Sequence, residues 1–415
     1  VKGPMSLQWF GRPGPREMID RHHRNVPPLF KDGRLFVPGD CLIFAVDAYN
    51  GTIQWKIDVP NSRRLGVFLD CGSMAVDEEL LYVAVEDECH GFDVKTGRRR
   101  RTHAMPQLID GRSSEWGYVA YLGEILFGSG RREGARYCET SYDADIALWY
   151  RNMKVVVSEY LFALDKGGGN VLWEYRDGLI LSPTITIGGG RMYFIETSSP
   201  KALADELGRI PIKALFDGGE QRLVALDART GEIKYKKKID VSDLEEPVYL
   251  NYADGVVLLS GSKLAGDSIV YSYYAFEAGT GRALWDASHD SGLAKDGGHG
   301  EYNRHPTIIG ETVYAWPYAY MLATGKKVDG WKFNRRGHGC GGVSASAQCL
   351  FWRGGNPWMY DLGAGGATRL TSVTRPGCWI NIIPAGGLVL IPEASSGCTC
   401  GFPLQTSLAL VPGEM

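Results

Sequence analysis

Short apolar runs of strand length, broken by glycine-bearing turns, recur along the whole chain. One template repeats: an apolar strand, an acidic residue, a glycine four positions later and an aromatic four beyond that. It reads Phe44-Ala45-Val46-Asp47, Gly51, Trp55, then Ala163-Leu164-Asp165, Gly169, Trp173. It returns as Ala225-Leu226-Asp227, Gly231, Tyr235 and as Ala275-Phe276-Glu277, Gly281, Trp285. Weaker copies pair Asp93 with Gly97, Met321 with Gly325 and Asp361 with Gly365. Their spacing, 40 to 72 residues, is that of four-stranded propeller blades in which two blades carry insertions. A helical reading fails on period and on glycine density.

Local chemistry accounts for the template. The acid ends the third strand of a blade and accepts turn N–H groups, glycine supplies a positive φ, and the aromatic of the fourth strand packs between blades. After the seventh copy come strands at 379–383, 388–391 and 408–411, and the fourth of that blade is missing. The segment 6–10 supplies it. Trp9 lies 38 residues before Asp47, as Trp55 lies 38 before Asp93. The expected fold class is therefore all-β: one eight-bladed β-propeller over 1–415, its ring closed by the N-terminal strand joining the last blade.

Composition sharpens this picture without redirecting it. The 54 glycines among 415 residues suit a fold made of turns, and 44% hydrophobic residues suffice for a large core. A net charge of −3 gives no reason to expect nucleic acid, and the basic run 98–101 reads as a solvated strand edge. No apolar stretch reaches the ~18 residues of a membrane span. The chain starts at Val1 with no leader segment, so it reads as a processed form or an excised domain, a monomer or part of a larger polypeptide.

The template resembles the quinoprotein alcohol-dehydrogenase-like superfamily of PQQ-like repeat propellers. Its blades end in Ala-Leu-Asp-x-x-Thr-Gly-x-x-x-Trp, matched best at 225–235, 275–285 and 44–55. The resemblance spans essentially the whole chain, and 335–412 also looks like PQQ-like repeat proteins of planctomycete-type bacteria. It implies a fold shared by quinone enzymes and by outer-membrane assembly lipoproteins, so function must come from the site. In the quinone case it implies an aromatic floor, an acidic calcium ligand and a catalytic aspartate, roles for Trp379, Glu115 and Asp70. The adjacent Cys-Cys of many relatives is absent.

Chemistry gathers on one face. The loops between blades, nearest the axis, carry His22, His23, Arg24, Asp70, Cys71, Glu115, Trp116, Glu245, Glu246, Arg304, His305, Arg336, His338, Cys340, Arg375, Cys378 and Trp379. Convergent polar groups in a concavity mark a site. Insertions at 128–158 and 196–221, the second with a short helix at 200–207, are expected as a lid or rim on that face. Tyr118, Tyr121, Trp316, Tyr318, Tyr320, Trp352 and Trp358 would stack on sugar rings or pack between blades.

Nine cysteines leave at least one unpaired. Cys71 with Cys89, and Cys378 with Cys398 or Cys400, occupy equivalent places in two blades and are expected as disulfides, implying an oxidising compartment. The rival is a metal set of His338, Cys340, Cys378, Cys398 and Cys400. Cys349 is expected as a buried free thiol. Three functions stay open. The first is an exported, periplasmic or extracellular enzyme acting on a sugar-like or anionic small-molecule or polysaccharide ligand. In it Arg304, Arg336 and Arg375 neutralise the anion, His305, His338, His22 and Asp70 are catalytic, and His23, Arg24, Glu115, Trp116 and Trp379 bind, with lyase-type or metal-assisted chemistry. The others are a non-catalytic interaction scaffold and a quinone- or metal-dependent oxidoreductase. No cofactor is required by the sequence; a divalent metal or PQQ fits the last class.

Overall fold

A computed structural model describes residues 1, 3–106, 113–139, 153–294, 305–333, 341–379, 381–397 and 404–413. Eight antiparallel sheets follow one another along the chain. Among the described residues six have four strands, the sixth has three and the fourth has seven. The first sheet shows the pattern: Leu29–Lys31, Arg34–Pro38, Leu42–Asp47 and Ile53–Asp58, each paired with the next. The eighth is built from Ile383–Ala385, Leu388–Ile391 and Ser407–Pro412, with Met5–Gly11 as its fourth strand. One sheet thus holds both ends of the described chain. No helix among the described residues is long and apolar enough to cross a membrane.

The template residues do what their chemistry requires. Asp47 Oδ1 accepts the turn N–H groups of Tyr49 at 2.9 Å and Asn50 at 3.2 Å, and Asp93, Asp227 and Asp361 do the same in their blades. The indole of Trp9 then reaches into the next blade, where Nε1 donates to Ala48 O at 2.7 Å. Trp55 donates to Val94 O at 3.0 Å, Trp173 to Ala228 O at 3.1 Å and Trp285 to Leu322 O at 2.8 Å. Each acceptor directly follows the template position of the neighbouring blade. The indole lies flat over that blade's turn glycine. Gly97, at φ +69°, would bring a Cβ within 2.9 Å of Trp55, so glycine is needed there for its backbone and for the space above it. Tyr235 and His103 take the same place in their blades, over Gly281 and Gly169.

Apolar clusters join each sheet to its successor, and one of them joins the eighth to the first: Trp9, Leu388, Leu390 and Ala409 pack with Leu35, Phe44 and Val46. Packing therefore closes the ring. A larger cluster unites Ile19, Leu65, Phe68 and Leu69 with residues of the fourth and fifth sheets, and Trp379 packs against it. The middle of the ring is filled with side chains.

The two insertions contribute to that filling. Lys154–Ser158 from the first pairs with Arg209–Pro211 from the second, and together they extend the fourth sheet on the side away from its outer strand. Their apolar residues Val155, Val156, Val157 and Ile210 are fully or almost fully buried. The second insertion holds two short helices, Pro200–Ala204 and Ile212–Phe216. The rest of the first insertion, 140–152, lies outside the described residues, so the lid expected there stays an expectation.

Two outcomes follow from these joints. Trp9→Ala removes a buried indole and its hydrogen bond at the ring closure, and guanidinium unfolding will show a loss of about 3–5 kcal/mol. Between the fifth and sixth sheets His289 stacks on Tyr273 and Tyr320 and bonds the Tyr320 hydroxyl at 2.7 Å; burial pulls its imidazole down to about 4. The unfolded chain takes up that proton near pH ~6.5, so the histidine's contribution is intact above this and lost as pH falls toward 4. Between pH 7 and 5 the wild type will lose about 2 kcal/mol more than His289→Phe.

Candidate functional site

The inter-blade loops are stitched together by backbone bonds. Gly66 N–H donates to His23 O at 2.7 Å, and Leu65 N–H to Tyr137 O at 2.8 Å. The turn Val67–Leu69 then delivers Asp70 into a closed cluster of charges. Asp70 forms an ion pair with Arg131, lies 3.9 Å from Arg64 and accepts from the Cys71 backbone and thiol at 2.9 and 3.2 Å. Arg131 continues to Glu115 at 3.4 Å, and Glu115 to Arg136 at 3.7 Å. Burial favours a neutral Asp70, yet Arg131 and Arg64 outweigh it and hold the carboxyl below its ordinary value. Burial and the Arg131 charge pull Arg64 down to about 10, which leaves it a cation at neutral pH. Its guanidinium donates to Trp116 O and Gly117 O, both at 2.7 Å.

This cluster reassigns several residues that the sequence marks as candidates. Asp70 and Glu115 are buried against arginines, so the catalytic aspartate of one reading is here the anion that neutralises Arg131. Trp116 is wholly enclosed, with Phe162 edge-on at 4.9 Å, and offers no surface to a ligand. The expected disulfide between Cys71 and Cys89 is absent: both are free thiols. Cys71 turns its sulfur to Asp70, while Cys89 packs in an apolar cluster with Tyr82 and Trp116. Cys349 is a buried free thiol.

Toward the middle, Phe68 lies under the Arg24 guanidinium at 4.2 Å and against Trp379 at 5.3 Å. Tyr249 donates to Phe68 O at 3.1 Å and stacks on His305 at 4.8 Å. Burial lowers the His305 pKa despite a bond from its ring to Pro306 O, and burial lowers that of His23 as well, so both rings favour the neutral form. Among the described residues, Arg24, His305 and Trp379, expected around a funnel, pack here against Phe68 and Tyr249 as a floor.

Among the described residues a cleft opens beside this floor, with an empty volume of about 440 Å³. Its walls include Asp20, Arg21, Arg24, Cys378, Trp379 and Glu393. Asp20 pairs with His22 Nδ1 at 2.7 Å and also accepts the His22 backbone N–H at 2.9 Å. Gly397, at φ +73°, packs so tightly that a Cβ would fall 1.8 Å from the Asp20 carboxylate. Arg21 N–H donates to Ser396 O at 3.0 Å, fixing the loop from the other side. The Arg21 and Arg353 guanidiniums each donate to Cys378 Sγ at 3.2 Å. Glu393 is buried; Ser395 bonds one of its oxygens, and the other has no partner. Burial raises its pKa against the pull of those bonds.

Of the candidates, Arg24, Cys378 and Trp379 line this cleft, and His22 stands behind its wall residue Asp20, to which it is bonded. Arg375 is half-buried and does not line it. Arg304, Arg336, His338, Cys340, Cys398 and Cys400 lie outside the described residues. Among the described residues no three His, Cys, Asp or Glu side chains cluster as metal ligands. A quinone with a calcium ion does not fit the cast given to Trp379, Glu115 and Asp70. Both carboxylates, Glu115 and Asp70, are engaged by Arg131.

The sheets, their aromatic joints and the filled axis define an eight-bladed β-propeller. Residues 158–328 match the family described as outer membrane protein assembly factor BamB, and the chain is similar in this to PQQ-like repeat propellers. Among solved structures it is similar to the quinohemoprotein alcohol dehydrogenase of Comamonas testosteroni, at 12% identity and a TM-score of 0.60, over 99% of this chain and 77% of that one. It is also similar to a europium-containing methanol dehydrogenase, at 10% identity and a TM-score of 0.58, over 98% and 93% of the two chains. These likenesses establish the fold. No curated protein sequence matches the chain.

The charge cluster carries its own test. Asp70→Asn leaves Arg64 buried without its anion and Arg131 with Glu115 alone, and will cost about 3–5 kcal/mol in chemical unfolding. A loss under 1 kcal/mol would show that the pair does not hold the loops.

Proposed function

We propose that the cleft between the eighth and first blades is a ligand site for a sugar-like molecule bearing a carboxylate or sulfate. The observation that carries this reading is the convergence of Arg21, Arg24, Trp379 and Glu393 on one concave surface. Arg21 and Arg24 outnumber the single Asp20 carboxylate, and burial favours Glu393 as the neutral acid, so the cleft favours an anion. Trp379 adds an apolar face against which a pyranose ring can lie. His22, held by Asp20 through Nδ1, is the group suited to take a proton next to a bound carboxylate. β-Elimination fits that set: the C–H bond α to the carboxylate breaks toward His22, a C=C bond forms, and the β C–O bond breaks with the departing oxygen taking a proton from solvent. We place the protein outside the cytoplasm, periplasmic or extracellular, since the family matched over 158–328 is described by its outer-membrane role.

A scaffold without catalysis is the second reading, favoured by the locking of Asp70, Glu115 and His305 into the packed floor. Calorimetry with uronate and sulfated oligosaccharides, followed by a turnover assay for unsaturated uronide, separates the two. Binding that Arg21→Ala weakens about tenfold or more supports the site. Turnover abolished by His22→Ala supports elimination, and binding without turnover leaves the scaffold. Absence of binding across the panel, or full binding by Arg21→Ala, overturns the ligand reading.

A further inference from the structure

Cys378 is buried in the wall of the cleft, with one N–H of Arg21 and one of Arg353 both 3.2 Å from its sulfur. A neutral thiol is a weak acceptor and does not balance charge. Arg21 has no ion pair with a carboxylate among the described residues, so the sulfur is the acceptor its inner N–H has chosen. Cations in hydrogen-bond contact favour the thiolate, the nucleophilic form of cysteine. A second observation lies in the same cleft: Glu393 is 2% exposed, and one carboxyl oxygen has no partner. A group in that state waits for something that enters the cleft.

The geometry points to Cys378 as a thiolate nucleophile held by Arg21 and Arg353, acting on a small hydroperoxide that enters the cleft. The sulfur attacks the terminal peroxide oxygen, an S–O bond forms and the O–O bond breaks. The sulfur loses two electrons and becomes a sulfenic acid, while the peroxide is reduced to water or an alcohol. The departing oxygen carries the negative charge away and needs a proton. Glu393, whose pKa burial raises and whose second oxygen has no partner, supplies it and regains it from solvent. The guanidiniums stabilise the charge as it moves from sulfur to oxygen. Return to the thiolate takes two electrons from a small dithiol, the reductant class this step requires.

The test uses the full chain, hydrogen peroxide and a dione probe for sulfenic acid, read at each cysteine by mass spectrometry. Cys378 should label at least about tenfold faster than Cys41, Cys71, Cys89, Cys138 and Cys349 in the same molecule. Its alkylation by iodoacetamide should titrate with a midpoint below the ~8.5 of an ordinary thiol. Arg21→Met and Arg353→Met should raise that midpoint, and circular dichroism checks that each variant is folded. If a variant is not, the wild-type midpoint decides alone. Glu393→Gln should slow oxidation by peroxide but not alkylation, because iodide leaves without a proton; a merely structural role would move both or neither. Labelling no faster than the other thiols, a midpoint at ~8.5 or above, or recovery of Cys378 in a disulfide from the native protein overturns the proposal. The thiol readouts require no sugar-like ligand, so this inference and the ligand reading fail separately.

Discussion

A single donor–acceptor pair, repeated from blade to blade, carries the architecture: an indole N–H of one outer strand and the carbonyl just past the template position of the next sheet. The bond spans 39 residues in the closing joint, Trp9 to Ala48, and again 39 from Trp55 to Val94. A blade alone has an apolar face and no partner, so its sheet is stable only when its neighbour is in place. The indole fixes how that neighbour sits, since it must meet a carbonyl at its edge and a bare glycine under its face. Every other element is hung from a frame of set angle and spacing.

That frame was legible because its grammar is local. The acid, glycine and aromatic lie within nine residues of one another, and their chemistry is complete before any tertiary contact forms. The closure by residues 6–10 was legible for the same reason, as one more repeat of a known interval. The site was not local, and there the reading of residue types went only part of the way. Asp70 and Arg131 are 61 positions apart, and nothing in either segment says that they neutralise each other. Carboxylates and guanidiniums gathered near an axis look alike whether they line a funnel or close one. The pairing of Cys71 with Cys89 failed on the same ground: that pair sits at the same two places in its blade as Cys378 and Cys398 in theirs, but side-chain direction and a neighbouring carboxylate decide where a sulfur points.

Arg21 and Glu393 were overlooked for different reasons. Arg21 was hidden beside two histidines that drew attention to themselves. Glu393 follows the apolar run 388–391, in the same kind of loop that singled out Cys398, so the positional logic was already available for it. The filled axis and the open cleft divide the polar inventory between them. Structural charges are paired and enclosed, whereas the cleft keeps a carboxyl oxygen without a partner.

The aromatic joints are not uniform around the ring. Gly365 of the seventh blade, at φ +70°, has no atom of the described residues within 4 Å of where a Cβ would stand, so no indole among them covers it. The join between the sixth and seventh sheets relies instead on ring contacts, Trp331 with Tyr314 and Tyr360, and Phe333 with Trp352. Such contacts slide more easily than a hydrogen bond of fixed length. The mechanical seam of this closed ring therefore falls away from the sheet where its two chain ends meet. A load that spread the blades would part them first at a place where the backbone runs on unbroken.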